Sequence, residues 1–264
     1  MSIMGLGQNL EFIFYATISG FLPAFLWLWF WLREDAHPEP RKMIFKTFLA
    51  GAAVIPAVFL IEYALLTIFL RFNLTSAANY SLPFIFALAA VEEYFKYFAA
   101  KQAALNKKDF DEPVDALIYL ITAALGFSAV ENAMYIFQGF GIKGIIPTII
   151  SGNFRFLGAS LIHVVSSAAI GAGIAFSFFH PAAGKKRGTK NNTKNEGILD
   201  HADKNHLKRN LIFGFLTAIL LHSFFNYFII KSGDNIFNVF LGVWILALII
   251  IYIFEKIKRI NFRP

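Results

Sequence analysis

Seven long apolar stretches dominate this chain, near residues 9–32, 43–70, 81–101, 114–138, 156–179, 210–230 and 236–254. Each approaches or exceeds the roughly 20 residues an α-helix needs to cross a bilayer core. Lipid offers no partner to a bare backbone N–H or C=O, so a spanning segment must bond to itself as a helix or close into a barrel. Continuous apolar runs suit the helix. The predicted fold class is therefore all-α, a polytopic membrane bundle of about seven transmembrane helices. A shorter run, Ile142 to Ile150, is interrupted by Pro147 and is expected to be interfacial or re-entrant, which makes eight the alternative count. Only 16% of the 264 residues are charged, against about 25% in a soluble domain. One integral-membrane domain over 1–264 is expected, with no second soluble domain. The first stretch lacks a basic n-region and is expected to be a retained helix rather than a signal peptide. There are no cysteines, which excludes disulfides, thiolate metal sites and a cysteine nucleophile.

Lysine and arginine set the expected orientation. Of the 24 in the chain, 19 fall in residues 33–46, 101–108, 185–209 and 256–263, which share one side of a seven-span topology. The other side holds Arg71, Lys143, Arg155 and Lys231, and Lys96 lies within a span. The positive-inside rule then puts the N-terminus outside and the C-terminus in the cytoplasm. The net charge of +7 is thus a topology signal, and no nucleic-acid partner is expected. Residues 184–209, polar, basic and rich in Asn, Gly and Lys, are expected to form a flexible cytoplasmic loop in which His201 and His206 are solvated.

The third stretch carries Glu92, Glu93 and Lys96 between apolar and aromatic neighbours. Charged side chains at the membrane centre cost about 2.5 kcal/mol or more and mark function by default. Glu92 and Lys96, one turn apart, can neutralise each other. Glu93 points about 100° away and requires a partner from another helix. Candidates are Glu131 and Asn132 in the fourth stretch, His163 in the fifth, and His222 with Asn226, one turn apart, in the sixth; Phe127 shares a face with Glu131. Counted from the cytoplasmic ends at 1.5 Å per residue, Glu93, Glu131, His163, His222 and Asn226 lie between about 12 and 27 Å deep, toward the outer half of the membrane. They are expected to converge. Glu62 and Asp115 are assigned minor roles, Asp115 as part of a helix start at Asp111-Glu112-Pro113.

Carboxylates can serve as general base or metal ligand, imidazoles as ligands or donors, and a side-chain amide as an oxyanion stabiliser. That set suits amide hydrolysis by an activated water. Other intramembrane designs fit poorly: His-Glu-x-x-His is absent, no aspartate lies mid-span, and only Ser160 suggests a serine nucleophile.

In order, Glu92-Glu93-x-x-Lys96, Phe127-x-x-x-Glu131-Asn132, His163 and His222-x-x-x-Asn226 resemble the PrsW family of intramembrane proteases. The loop Glu34-Asp35-Ala-His-Pro-Glu39-Pro40 and the connector Phe110 to Tyr119 are similar to two further family stretches. The resemblance covers about residues 20–230. More distantly the layout resembles the CAAX prenyl protease and bacteriocin-immunity superfamily, from which it departs by carrying Glu131 where that pattern has histidine. The family likeness implies a peptidase that cuts a single-span, membrane-anchored regulator such as an anti-sigma factor, in a bacterial cytoplasmic membrane. By the same likeness, Glu92 or Glu93 activates water and His163 and His222 bind a metal or the oxyanion. Glu131 is then a ligand or second acid/base, and Asn226 polarises the scissile carbonyl. Lys96, Phe127 and Asn132 support them. Zn2+ is the metal such a site implies, with His163, His222 and Glu131 as its ligands. The alternatives are a proton- or cation-coupled transporter, a CAAX-like or bacteriocin-resistance protease, and a catalytically silent homologue that binds a partner helix.

Overall fold

A computed structural model describes residues 3–35, 37–76, 79–107, 109–143, 145–177, 204–232 and 236–259, with side chains described throughout these except at 3–12, 138–157, 232 and 236. Eight α-helices follow one another: α1 (Ile3–Arg33), α2 (Arg41–Ala53), α3 (Ile55–Arg71), α4 (Leu82–Ala100), α5 (Asp115–Lys143), α6 (Ile145–Phe176), α7 (Lys204–Ser232) and α8 (Ile236–Lys258). A π-helical turn, Lys101–Leu105, continues α4.

Six stretches are long and apolar enough to cross a membrane: 13–33, 41–71, 115–137, 158–176, 204–231 and 237–258. The helix α4 carries three charges, but its 19 residues still reach about 28 Å. The second expected span is two helices, because Pro56 in the first turn of α3 has no N–H to continue the ladder. The stretch 142–150 is not a separate element. It is divided between the end of α5 and the start of α6, so among the described residues the six stretches and α4 account for the crossings and 142–150 adds none. Of the expected loop 184–209, residues 184–203, with His201, lie outside the described residues. Residues 204–209 are instead the first turns of α7, where His206 is half-buried and its Nδ1 lies 3.0 Å from Arg209 Nη2.

Helices α5 and α6 form the centre. Between Asp115 and Ala129 every residue of α5 is buried, as are nearly all of α6 from Gly158 to Ala175. A helix apolar around its whole circumference has to be enclosed by others. The outer helices instead turn large side chains such as Phe14, Leu60, Tyr63, Phe213 and Leu248 outward, as lipid-facing helices do.

Small residues let the backbones approach, the usual device where lipid supplies no hydrophobic drive between helices. A Cβ on Gly51 of α2 would overlap the Ala123 carbonyl of α5, and one on Gly126 of α5 would overlap the Phe48 carbonyl of α2. The crossing is reciprocal and has no slack. Gly51→Ala is therefore expected to destabilise the protein by about 1–3 kcal/mol through overpacking. Gly242→Ala, whose Cβ would meet nothing within 4 Å, is the neutral control. Thermal unfolding of both variants in detergent checks this; equal midpoints would mean that the α2–α5 contact is not tight.

Candidate active site

The site forms where α4, α5, α6 and α7 face one another. On α4 the three-residue offset from Glu93 to Lys96 and the four-residue offset from Glu92 to Lys96 both bring an ammonium back over a carboxylate. Lys96 uses both. Its Nζ lies 2.8 Å from Glu93 Oε1 and 3.4 Å from Glu92 Oε2. The expected neutralisation of Glu92 is the weaker half of this arrangement. Lys96 is fully buried and has a third partner, His163 Nδ1 on α6, at 2.6 Å. Its Nζ also sits 4.7 Å from the centre of the Phe127 ring, a cation–π contact.

Glu93 is fully buried and has every partner it requires. Oε1 accepts from Lys96, from Ser166 Oγ at 2.8 Å and from His222 Nδ1 at 2.8 Å, while Oε2 accepts from Ser167 Oγ at 3.1 Å. A carboxylate with this many donors remains ionised and fixed. Ser166 and Ser167 were not singled out from the sequence. Their signal was spacing, because they follow His163 by three and four residues and so share its helix face.

The donors assign the ring nitrogens. An ammonium only donates, so His163 Nδ1 accepts, and the proton sits on Nε2, 2.7 Å from Glu131 Oε2. A carboxylate only accepts, so His222 Nδ1 donates to Glu93 and its Nε2 presents a lone pair. That lone pair lies 3.8 Å from Glu92 Oε2, and Glu92 Oε2 is also 3.8 Å from His163 Nδ1. The two imidazoles meet edge-on, 4.9 Å apart between ring centres.

Glu92 differs from its neighbour. It is bonded only through the long contact to Lys96, and it is 9% exposed where Glu93 is 0%. The Glu131 side chain is 25% exposed, so the cluster opens on the side of Glu92 and Glu131.

The remaining candidates divide. Asn226, one turn past His222, is half-buried and makes no hydrogen bond to the cluster. Asn132 donates to Ser128 at 3.2 Å and to Ser160 at 2.8 Å, joining α5 to α6 beside the site. Ser160 belongs to that network and has no histidine among its partners, which argues against it as a nucleophile. Glu131 faces His163, with its Oε2 2.7 Å from the ring Nε2.

The donor set can be tested against a metal ion. One ligand atom each from Glu92, His163 and His222 lies within 4.8 Å of the others, all three residues buried. Two ligands at ~2.1 Å from a tetrahedral zinc are about 3.4 Å apart, close to the 3.8 Å seen here. Glu93 holding His222 Nδ1 is the carboxylate–histidine pairing that orients metal-binding imidazoles. The group with the two histidines is thus Glu92 rather than Glu131, because Glu131 faces the far nitrogen of His163. Glu92 and His222 fit an ion directly. His163 offers Nδ1 only where Lys96 withdraws from it.

A second acidic group joins the two flanking motifs. Asp115 accepts the backbone N–H of Asp111 at 3.0 Å and of Glu112 at 2.7 Å, and Tyr119 donates its hydroxyl to Glu39 Oε2. His37 Nδ1 lies 2.9 Å from Glu112 Oε1. Burial raises the Asp35 and Glu39 carboxyls above their ordinary values, and neighbouring carboxylates add to it. The helix start predicted at Asp111-Glu112-Pro113 thus lies just ahead of α5 and binds the α1–α2 loop.

A family model described as PrsW family intramembrane metalloprotease matches residues 39–253, which include every residue of the Glu/His cluster. Among curated proteins, a Protease PrsW of Oceanobacillus iheyensis is 30% identical over 246 residues, covering 92% of this chain and 94% of that protein. A Protease PrsW of Halalkalibacterium halodurans is 22% identical over 234 residues, covering 88% of this chain and 90% of that protein. One of Clostridioides difficile is 34% identical over 112 residues, 41% of this chain and 45% of that protein. No solved structure matches.

Proposed function

Because this chain belongs to the PrsW family of intramembrane metalloproteases, we propose that it hydrolyses a peptide bond of a single-span membrane protein with Glu92 as general base. The observation that carries this reading is the division of labour between adjacent glutamates. Glu93 is saturated by Lys96, His222, Ser166 and Ser167, whereas Glu92 retains acceptor capacity and the exposed side of the cluster.

In this reading Glu92 removes a proton from a water as the water oxygen attacks the scissile carbonyl. The same proton passes to the leaving amine as the C–N bond breaks, which restores the carboxylate. The Nε2–H of His163, shared with Glu131 at 2.7 Å, is the donor placed to move toward developing negative charge. Asn226 is assigned the scissile carbonyl, from the free side of the His222 turn. Lys96 and Glu93 hold both imidazoles in their tautomers. Glu131 serves as second acid/base, and Phe127 and Asn132 support the α5 side.

A divalent cation bound here would supply Lewis-acid polarisation of the carbonyl and lower the pKa of water. In that metal-bound form Glu92 and His222 would hold it, with His163 as the third donor once Lys96 withdraws from Nδ1, and the base would then be Glu131 rather than Glu92. Two imidazoles and a glutamate are a known catalytic zinc set, so Zn2+ is proposed. Charge supports a cation: Glu92, Glu93 and Glu131 share the site with one lysine. Metal analysis in detergent should give about one zinc per chain in the wild type and none in His222→Ala. An intact, active and metal-free wild type would remove the metal from the mechanism.

We further propose that the chain is one membrane domain in the bacterial cytoplasmic membrane, with the N-terminus out and its substrate a regulator of the anti-sigma-factor type. The lysine and arginine distribution supports the orientation, and the relatives named above are bacterial. On that orientation His222 lies ten residues from the outer end of α7 and eighteen from its cytoplasmic end, which supports cleavage toward the outer face.

A further inference from the structure

Glu62 is a fourth intramembrane carboxylate, to which the sequence assigns only a minor role. It sits in the middle of α3, a helix with only Ile55 and Val58 buried. Ile55, Val58 and Phe59 pack against Phe127, Val130 and Met134 of α5. Glu62 continues that stripe, three and four residues beyond Phe59 and Val58, while Leu60 and Tyr63 are each 72% exposed on the other side. Depth agrees as well. Glu62 is nine residues before Arg71 at the end of α3, and Glu92 is ten after Leu82 at the start of α4, which places both about 14–15 Å below neighbouring helix ends.

Glu62 is close enough to Glu92, Glu131 and Lys96 to experience the charge of all three. Yet it is half-buried, and among the described residues no hydrogen bond or ion pair reaches it. A carboxylate within the membrane that no described residue partners is costly to keep. Its place at the exposed side of the cluster, near Glu131, is where a membrane segment would enter.

We propose that Glu62 is a substrate-binding residue, accepting backbone N–H groups of the membrane segment as that segment is unwound for cleavage. A helix cannot present a peptide bond to a base without opening, and in lipid each freed N–H must find an acceptor. Glu62 and the α3 edge provide one. This inference rests on the hydrolase reading of the site.

The test compares new N-termini in membranes from cells expressing wild type, Glu92→Gln, Glu62→Leu or Glu62→Gln. Bonds cut by wild type and not by Glu92→Gln define the substrate, and a single-span peptide carrying such a bond is then assayed with purified enzyme. Glu62→Leu should raise KM about tenfold with kcat little changed, the effect of one lost hydrogen bond. Glu62→Gln, whose amide oxygen still accepts, should remain within a few-fold of wild type. Leucine suits lipid, so Glu62→Leu should melt no lower than wild type, which separates lost binding from lost folding. Wild-type KM in Glu62→Leu overturns this inference alone, as does a fall confined to kcat. N-termini that are the same in cells with wild type as in cells without the protein overturn the hydrolase reading and this inference with it.

Discussion

Glu92→Gln is expected to reduce peptide cleavage by roughly 10²–10⁴-fold or more while leaving the folded protein unchanged. The substitution preserves shape and removes the one group placed to accept a proton from water. It costs little structurally, because Glu92 is held only by a 3.4 Å contact to Lys96 and already lies at the exposed edge of the cluster. Lys96 keeps Glu93 and His163 at 2.8 and 2.6 Å. The check is a paired measurement: turnover on a single-span substrate and the melting temperature in detergent. Turnover near wild type would end the assignment of Glu92 as base.

Glu93→Gln is expected to fail in a different way, through stability. Four donors converge on the fully buried Glu93 carboxylate. Glutamine offers one acceptor oxygen in place of two and turns an N–H₂ toward groups that are themselves donors. It also leaves the buried ammonium of Lys96 with the 3.4 Å contact to Glu92 as its remaining carboxylate ion pair. Removing one partner of a buried ion pair costs about 3–5 kcal/mol, so a lower melting point and poor yield should accompany any loss of activity. A second substitution provides the control. Glu93→Gln with Lys96→Met removes both charges together, and part of the lost stability should return because no uncompensated ion remains. A Glu93→Gln protein as stable as wild type would mean that the Lys96–Glu93 pair is not the anchor of the site. The two glutamates, adjacent in sequence, are thus distinguished by which measurement each one moves.

Much of this site was legible from the chain. Polar and charged groups in a membrane span are conspicuous, and Glu92, Glu93, Glu131, His163 and His222 each stand out in the sequence on that ground. Helical depth was enough to suggest that they met. Other members were obscured by ordinary chemistry. Ser166 and Ser167 resemble any small residues of a tightly packed helix, and only the carboxylate between them gives them a role. Asn132 was grouped with Glu131 because it is the next residue, yet a step of 100° turns it to Ser128 and Ser160. The choice between Glu92 and Glu93 was open for the same reason, since adjacent side chains differ by a direction that no single helix assigns to an interior or an opening.

What the sequence determined by itself was the solvent of each segment: which stretches lie in lipid, which side carries the basic loops, and which polar groups are too costly to be there without purpose. Those are local properties, set by the transfer of each residue from water to hydrocarbon. What only the tertiary structure decided was partnership. The contact of Lys96 with His163 joins residues 67 apart in the chain, and that of Glu93 with His222 joins residues 129 apart. Glycine crossings between α2 and α5 set the frame that brings such groups together. Hydrogen bonds are directional and short-ranged, so tautomer, ionic partner and the identity of the free carboxylate follow from packing, and packing is a property of the whole bundle.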